Sequence, residues 1–123
     1  MDAAQALADL TEVSSQIEGA VFVGMDGTLL ASTFPAGRGE RVGATAVELL
    51  RAAESAPAAE RRELTHVVAT LAAGAVFVVR SGERLVAAVT GRDPTVGLIV
   101  YDLKTCLRLA EEEEGGRRQE SRA

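Results

Sequence analysis

Apolar residues recur at helical spacing from the start of the chain. After Met1-Asp2-Ala3-Ala4-Gln5, where Asp2 offers a helix N-cap and Gln5 stands at the capping-box position, Leu7, Leu10, Val13 and Ile17 follow three or four residues apart. This spacing predicts a first helix that Gly19 ends. Ala20-Val21-Phe22-Val23-Gly24 then changes to a compact β-branched and aromatic run, the pattern of a buried strand. Asp26-Gly27 reads as a hairpin turn into a second strand over residues 28–33. Asp26 is thereby assigned to turn geometry rather than to chemistry.

Pro35, Gly37 and Gly39 punctuate a loop, after which Val42, Ala46, Leu49, Leu50 and Ala53 form the apolar stripe of a second helix. Glu48 and Arg51 stand at i,i+3 on its flank, and Pro57 stops it. Ala44, Val47, Ala52 and Ala56 leave its other faces low in polarity, so two sides of this helix are expected to be covered. Residues 64–71 are rich in β-branched side chains and predict a third strand. Short turns at Ala72-Ala73-Gly74 and Ser81-Gly82-Glu83 lead to strands over 75–80 and 84–90, giving an antiparallel meander. Asp93-Pro94 supplies an N-cap with Pro at the first helical position. Val96, Ile99, Val100, Leu103, Cys106, Leu107 and Ala110 then mark the buried stripe of a last helix.

The order is α-β-β-α-β-β-β-α: an α/β protein of the α+β kind, with a five-stranded antiparallel sheet covered by helices on at least one face. One domain is expected over residues 1–110. The acidic and then mixed-charge residues 111–123 offer no apolar anchor and are expected to fray into a flexible tail.

Composition narrows the function classes. The 123 residues suit one core, and 47% hydrophobic with 25% charged residues is a globular composition. A net charge of −5, no Trp and 3% aromatics speak against nucleic acid as a partner, since neither phosphate neutralisation nor base stacking is provided for. One Cys makes no intrachain disulfide, and one His beside it makes a metal site a poor expectation. No Lys or Arg precedes Arg38, and the longest apolar run, 71–79, is far short of the ~18 residues of a membrane span. A cytoplasmic protein without membrane insertion is expected.

Catalytic patterns are sparse. Gly24-Met25-Asp26-Gly27 and Gly37-Arg38-Gly39 match neither a dinucleotide fingerprint nor a P-loop, and no serine sits in a nucleophile elbow. His66 and Cys106 have the residue types of a nucleophilic pair, but Cys106 falls on the apolar stripe of the last helix and His66 within the third strand. Cys106 is assigned to core packing and His66 to packing or an interface, and no enzymatic activity and no cofactor are expected.

The third strand is more informative. It falls at an edge of the sheet, yet carries none of the Lys, Pro or inward charge that keeps exposed edges from pairing. With the alanine-rich second helix, this edge predicts a dimer that continues the sheet across two chains. The interface residues expected are Val42, Ala46, Leu49, Leu50 and Ala53 on the helix, with Leu64, His66, Val67, Val68 and Thr70 on the strand.

Two segments carry a family resemblance. Residues 17–32, Ile-Glu-Gly-Ala-Val-Phe-Val-Gly-Met-Asp-Gly-Thr-Leu-Leu-Ala-Ser, resemble the opening of roadblock/dynein light-chain domains of the bacterial type, with its hydrophobic strand, Asp-Gly turn and Leu-x-Ala-Ser. The close, from Gly82-Glu83-Arg84-Leu85-Val86-Ala87-Ala88-Val89 to Asp93-Pro94-Thr95-Val96-Gly97-Leu98-Ile99, is similar to that family's last strand and its Pro-x-x-Gly-Leu helix entry. The resemblance implies a profilin-like fold, dimers built through the second helix and third strand, and a non-enzymatic adaptor or regulator of small Ras-like GTPases. It fixes no individual GTPase-contacting residue. The alternative is a profilin-like or PAS-like sensor of a small ligand or peptide. That role needs a polar-lined pocket on the sheet, where Phe22, Phe77, Val79, Leu85 and Val89 read as core.

Overall fold

A computed structural model describes residues 2–56 and 66–122, with side chains as far as Glu111. The elements are α1 (Ala3–Val13), β1 (Ile17–Gly24), β2 (Leu29–Ser32), α2 (Arg38–Glu54), β3 (His66–Leu71), β4 (Gly74–Ser81), β5 (Arg84–Thr90) and α3 (Val96–Arg122). This is the order the periodicities predict. The five strands form one antiparallel sheet in the order β2-β1-β5-β4-β3. The hairpin and the meander join where β5 returns to β1, with Phe22 opposite Val86 and Val21 opposite Ala87.

Side-chain alternation gives the sheet two apolar faces. Phe22, Phe77, Val79, Val86 and Ala88 lie on one, packed against Leu7 and Leu10 of α1 and Ile99, Leu103 and Leu107 of α3. Val21, Val23, Val78, Leu85 and Ala87 lie on the other, under Ala46, Val47 and Leu50 of α2. Central strands buried on both sides read as continuous apolar runs, which is why β1, β4 and β5 lack a polar alternation. At the chain start, the Asp2 carboxylate accepts a hydrogen bond from the Gln5 backbone N–H at 2.8 Å, the cap the sequence predicts.

Several boundaries differ from expectation. The first helix ends at Val13 with Ser14 as its extended C-cap, so Ile17 opens β1 opposite Thr90 instead of closing the helix. Both placements bury Ile17, and helical spacing alone does not separate them. Gly19 lies inside β1, not at a helix end: a Cβ there would come 2.4 Å from the Phe34 ring, so the glycine makes room for that ring. At α3, Asp93 is no helix cap, because it holds a left-handed φ of 56°. Thr95 takes the capping place: its carbonyl accepts from the Ile99 N–H at 3.0 Å. Gln16 clasps the same residue, accepting from the Thr95 N–H at 2.8 Å and donating to its hydroxyl at 3.1 Å. Finally, the α3 backbone is helical to Arg122, through the segment expected as a tail beyond Ala110. Glu, Arg and Gln are good helix formers, and they outnumber the two glycines in that stretch.

Gly74 offers a direct check of the register between β4 and β5, because a Cβ there would come 2.0 Å from the Thr90 carbonyl oxygen, whereas one at Gly97 in α3 would meet nothing within 4 Å. Gly74→Ala is expected to destabilise by at least about 2 kcal/mol in urea unfolding. Gly97→Ala is expected to be neutral or to stabilise by up to about 1 kcal/mol. Equal losses would contradict the packing at Gly74.

Candidate interaction surface

Among the described residues the sheet face under α2 is covered by that helix alone, and its placement decides what is left open. Its inward arc is Gly39, Gly43, Ala46, Val47 and Leu50. A Cβ on Gly43 would lie 2.9 Å from a Val23 methyl, so the bare backbone lets α2 settle closely on β1. Its C-terminal half is pinned at two points. Arg51, expected to pair with Glu48, donates to the Met25 carbonyl at 2.7 Å. Glu54 forms an ion pair with Arg80 of β4, which also donates to the Gly82 carbonyl at 2.8 Å.

With α2 so placed, a row of side chains on its side of the sheet stays partly open. Ala69, Val76 and Val89 are register neighbours across β3, β4 and β5, and all three are half-buried. Val76 and Val89 meet Val42 and Thr45 of α2 in a depression of 260 Å³ with Arg38 and Arg41 at its rim. That is smaller than the roughly 300–1,000 Å³ of sites that enclose a small-molecule ligand, and it suits inserted side chains better. Arg38 also lies over the Phe34 ring, 4.9 Å from its centroid. β3 borders this row, pairs among the described residues with β4 alone, and ends on Leu71, which is 59% exposed. An edge strand with apolar side chains and one unoccupied pairing side is a template for another strand.

The structure sorts the expected interface residues. Val42, Leu49, Ala53, Val67 and Val68 are half-buried, and His66 and Thr70 are exposed on β3. Ala46 and Leu50 are fully buried against the sheet and are therefore core, not surface. The stripe is rotated from its expected position because Gly39 and Gly43, invisible to an apolar count, belong to the inward arc together with Val47. Leu64 and the connection at 60–63 lie outside the described residues. Along β3 the sides alternate: Val67 packs with the core under α2, and Val68 with the core under α1 and α3. Val89, expected as core from the sequence, is instead half-buried and lines the depression, and Val76 was not singled out. Only the register that aligns them with Ala69 identifies them as one open row.

The remaining candidates serve the fold. The Asp26 carboxylate accepts from the Thr28 N–H at 2.9 Å, and this bonding holds it below the usual carboxylate range. Cys106 is buried in the core under α1 and α3, and His66 stands at the exposed start of β3. Burial, helped by the charge of Asp9, pushes the Cys106 thiol up to about 12, opposite to what a nucleophile needs. Among the described residues no cluster of His, Cys, Asp and Glu could hold a metal ion, and no helix is long and apolar enough to cross a membrane.

Solved structures share this architecture. A Roadblock/LC7 domain from Streptomyces avermitilis matches with a TM-score of 0.83 at 17% identity, over 92% of this chain and 98% of that one. The gliding protein MglB from Thermus thermophilus matches at 0.73 and 16% identity, over 89% of each chain. Profilin II from Acanthamoeba castellanii matches at 0.63 and 14%, over 89% of this chain and 98% of that one. The fold is the profilin-like fold of Roadblock/LC7 domains. No protein-family profile matches the sequence, and no curated protein matches it.

The buried thiol gives a simple test of the core. Because the folded protein holds Cys106 neutral, iodoacetamide at about pH 8 is expected to leave it unmodified in the native protein and to alkylate it fully once urea unfolds the chain. Rapid native alkylation, read by mass spectrometry, would contradict its placement beneath α1 and α3.

Proposed function

We propose that the protein is a non-enzymatic, cytoplasmic adaptor or regulator of a small Ras-like GTPase, acting as a homodimer joined along β3 and α2. The observation that supports the dimer is the open edge of β3 continuous with the apolar row Ala69, Val76, Val89 and Val42. Pairing β3 with its symmetry copy satisfies the outward backbone groups of both strands and brings each half-exposed flank, with Val42, Leu49 and Ala53, toward its counterpart. Burying Leu71 and the half-exposed valines adds roughly 1.5–3 kcal/mol for each side chain fully removed from water.

The GTPase half of the proposal rests on the resemblance of residues 17–32 and 82–99 to bacterial roadblock domains, together with the shared fold. Two α2 helices side by side form a face that one chain lacks, and the GTPase is placed there. The ligand-sensor reading is not favoured. Phe22, Phe77, Val79 and Leu85 are fully buried and fill the two sides of the sheet, and Val89, the one residue of that set left half-buried, opens onto the 260 Å³ depression beside α2.

Val67→Lys puts a charge on β3 at the margin of the core under α2, beside the pairing edge, and is the discriminating variant once circular dichroism shows that it keeps the wild-type fold. Wild type is expected to scatter light as twice the chain mass at micromolar concentration, and the variant as a monomer. In a pull-down with a bacterial small Ras-like GTPase, loaded with GDP or a GTP analogue, wild type is expected to bind and Val67→Lys to fail. Neither form is expected to hydrolyse GTP alone. Equal binding by both would contradict the composite face, and no binding of wild type in either nucleotide state would contradict the GTPase assignment.

A further inference from the structure

The face of the sheet opposite α2 carries a second feature that the dimer does not use. α1 and α3 lie side by side there, and between residues 6–13 of one and 102–109 of the other runs an open groove of 170 Å³. These stretches are about two helical turns each. The groove is floored by Leu10, Cys106 and Leu109 and flanked by Val13, which is 77% exposed. One carboxylate enters from each wall, Asp9 from α1 and Asp102 from α3. Both are half-buried, and neither has a hydrogen bond or ion pair among the described residues. Two carboxylates without a partner beside an apolar floor offer a bound cation charge-assisted hydrogen bonds. On the same helix, Tyr101 is 66% and Leu98 51% exposed, which extends the apolar area beyond the groove.

We infer that this groove docks a helical segment of a partner protein whose apolar anchors are flanked by Arg or Lys. The apolar floor takes the anchors, and Asp9 and Asp102 take the cations. Arg or Lys complements the groove because neither of its carboxylates has a partner and no basic residue lines it among the described residues. A helix is the occupant because the lining residues run along about two turns of each flanking helix, the setting in which an amphipathic helix lies against two others. The site lies on the opposite face of the sheet from α2, so it stays open when two chains join along β3 and α2. An adaptor then holds the GTPase on one face and a basic helix on the other.

The test uses the full chain and a fluorescein-labelled amphipathic peptide with Leu and Lys at helical spacing, beside a counterpart with Glu in place of Lys. Asp9→Asn/Asp102→Asn removes the groove's charge with nearly unchanged shape. Glu40→Gln/Glu48→Gln removes the same charge from the exposed side of α2. The Leu/Lys peptide is expected to bind wild type and to lose about tenfold or more in affinity with the groove variant. The α2 variant should bind like wild type, the Leu/Glu peptide should not bind, and backbone NMR shifts should gather at 6–13 and 98–109. Val13→Ser, a change at an exposed site that leaves folding intact, should also weaken the Leu/Lys peptide. The inference is overturned by absent binding of the Leu/Lys peptide, by equal losses in both charge variants, by equal binding of the Leu/Glu peptide, or by shifts centred on α2 and β3.

Discussion

A five-stranded open sheet has two faces and two edges, and three helices do not cover all four. That shortage organises this molecule. α1 and α3 take one face together and bury Phe22 and Phe77 completely. Among the described residues the other face has α2 alone, drawn onto β1 and β2 at Gly43 and Gly39 and fixed at its far end by Arg51 and by the Glu54–Arg80 pair. Everything beyond the reach of α2 is left half-covered: Ala69, Val76, Val89 and the edge of β3. In a monomer such an edge is a liability. In an assembly it is the surface that assembles.

The two faces differ in chemistry as well as in coverage. Beside α2 the open region is apolar with Arg38 and Arg41 at its rim, while the groove between α1 and α3 is apolar with Asp9 and Asp102 in its walls. Opposite charge on opposite faces lets one small domain engage two different partners without competition between them. The chain supplies no paired nucleophile among its described residues: Cys106 is protonated in the core and Asp26 is committed to a turn.

Much of the fold was legible because its signals are local. The Asp2 cap, the Asp26-Gly27 turn and the meander from β3 to β5 need only neighbouring residues to be read, and each stands where the sequence puts it. The misplaced boundaries have non-local causes. Ile17 is strand because it pairs with Thr90, and Gly19 is a strand residue because the Phe34 ring needs its space. Thr95, not Asp93, starts α3 because Gln16 reaches across to hold it. The surface followed the same division. The bare β3 edge was visible as a run without charge or Pro. The inward turn of Ala46 and Leu50, and the row joining Val76 to Val89, depend on where α2 rests and on sheet register.

The central claim is that the outer edge of β3 is paired in solution with a second copy of itself. Hydrogen exchange of the peptide covering residues 66–71, followed by mass spectrometry over a dilution series, measures that pairing directly. The account predicts slow exchange at micromolar concentration that accelerates on dilution in parallel with loss of dimer mass, while β1 and β5 stay protected throughout. Fast exchange of 66–71 at every concentration, with the sheet interior protected as before, would contradict it.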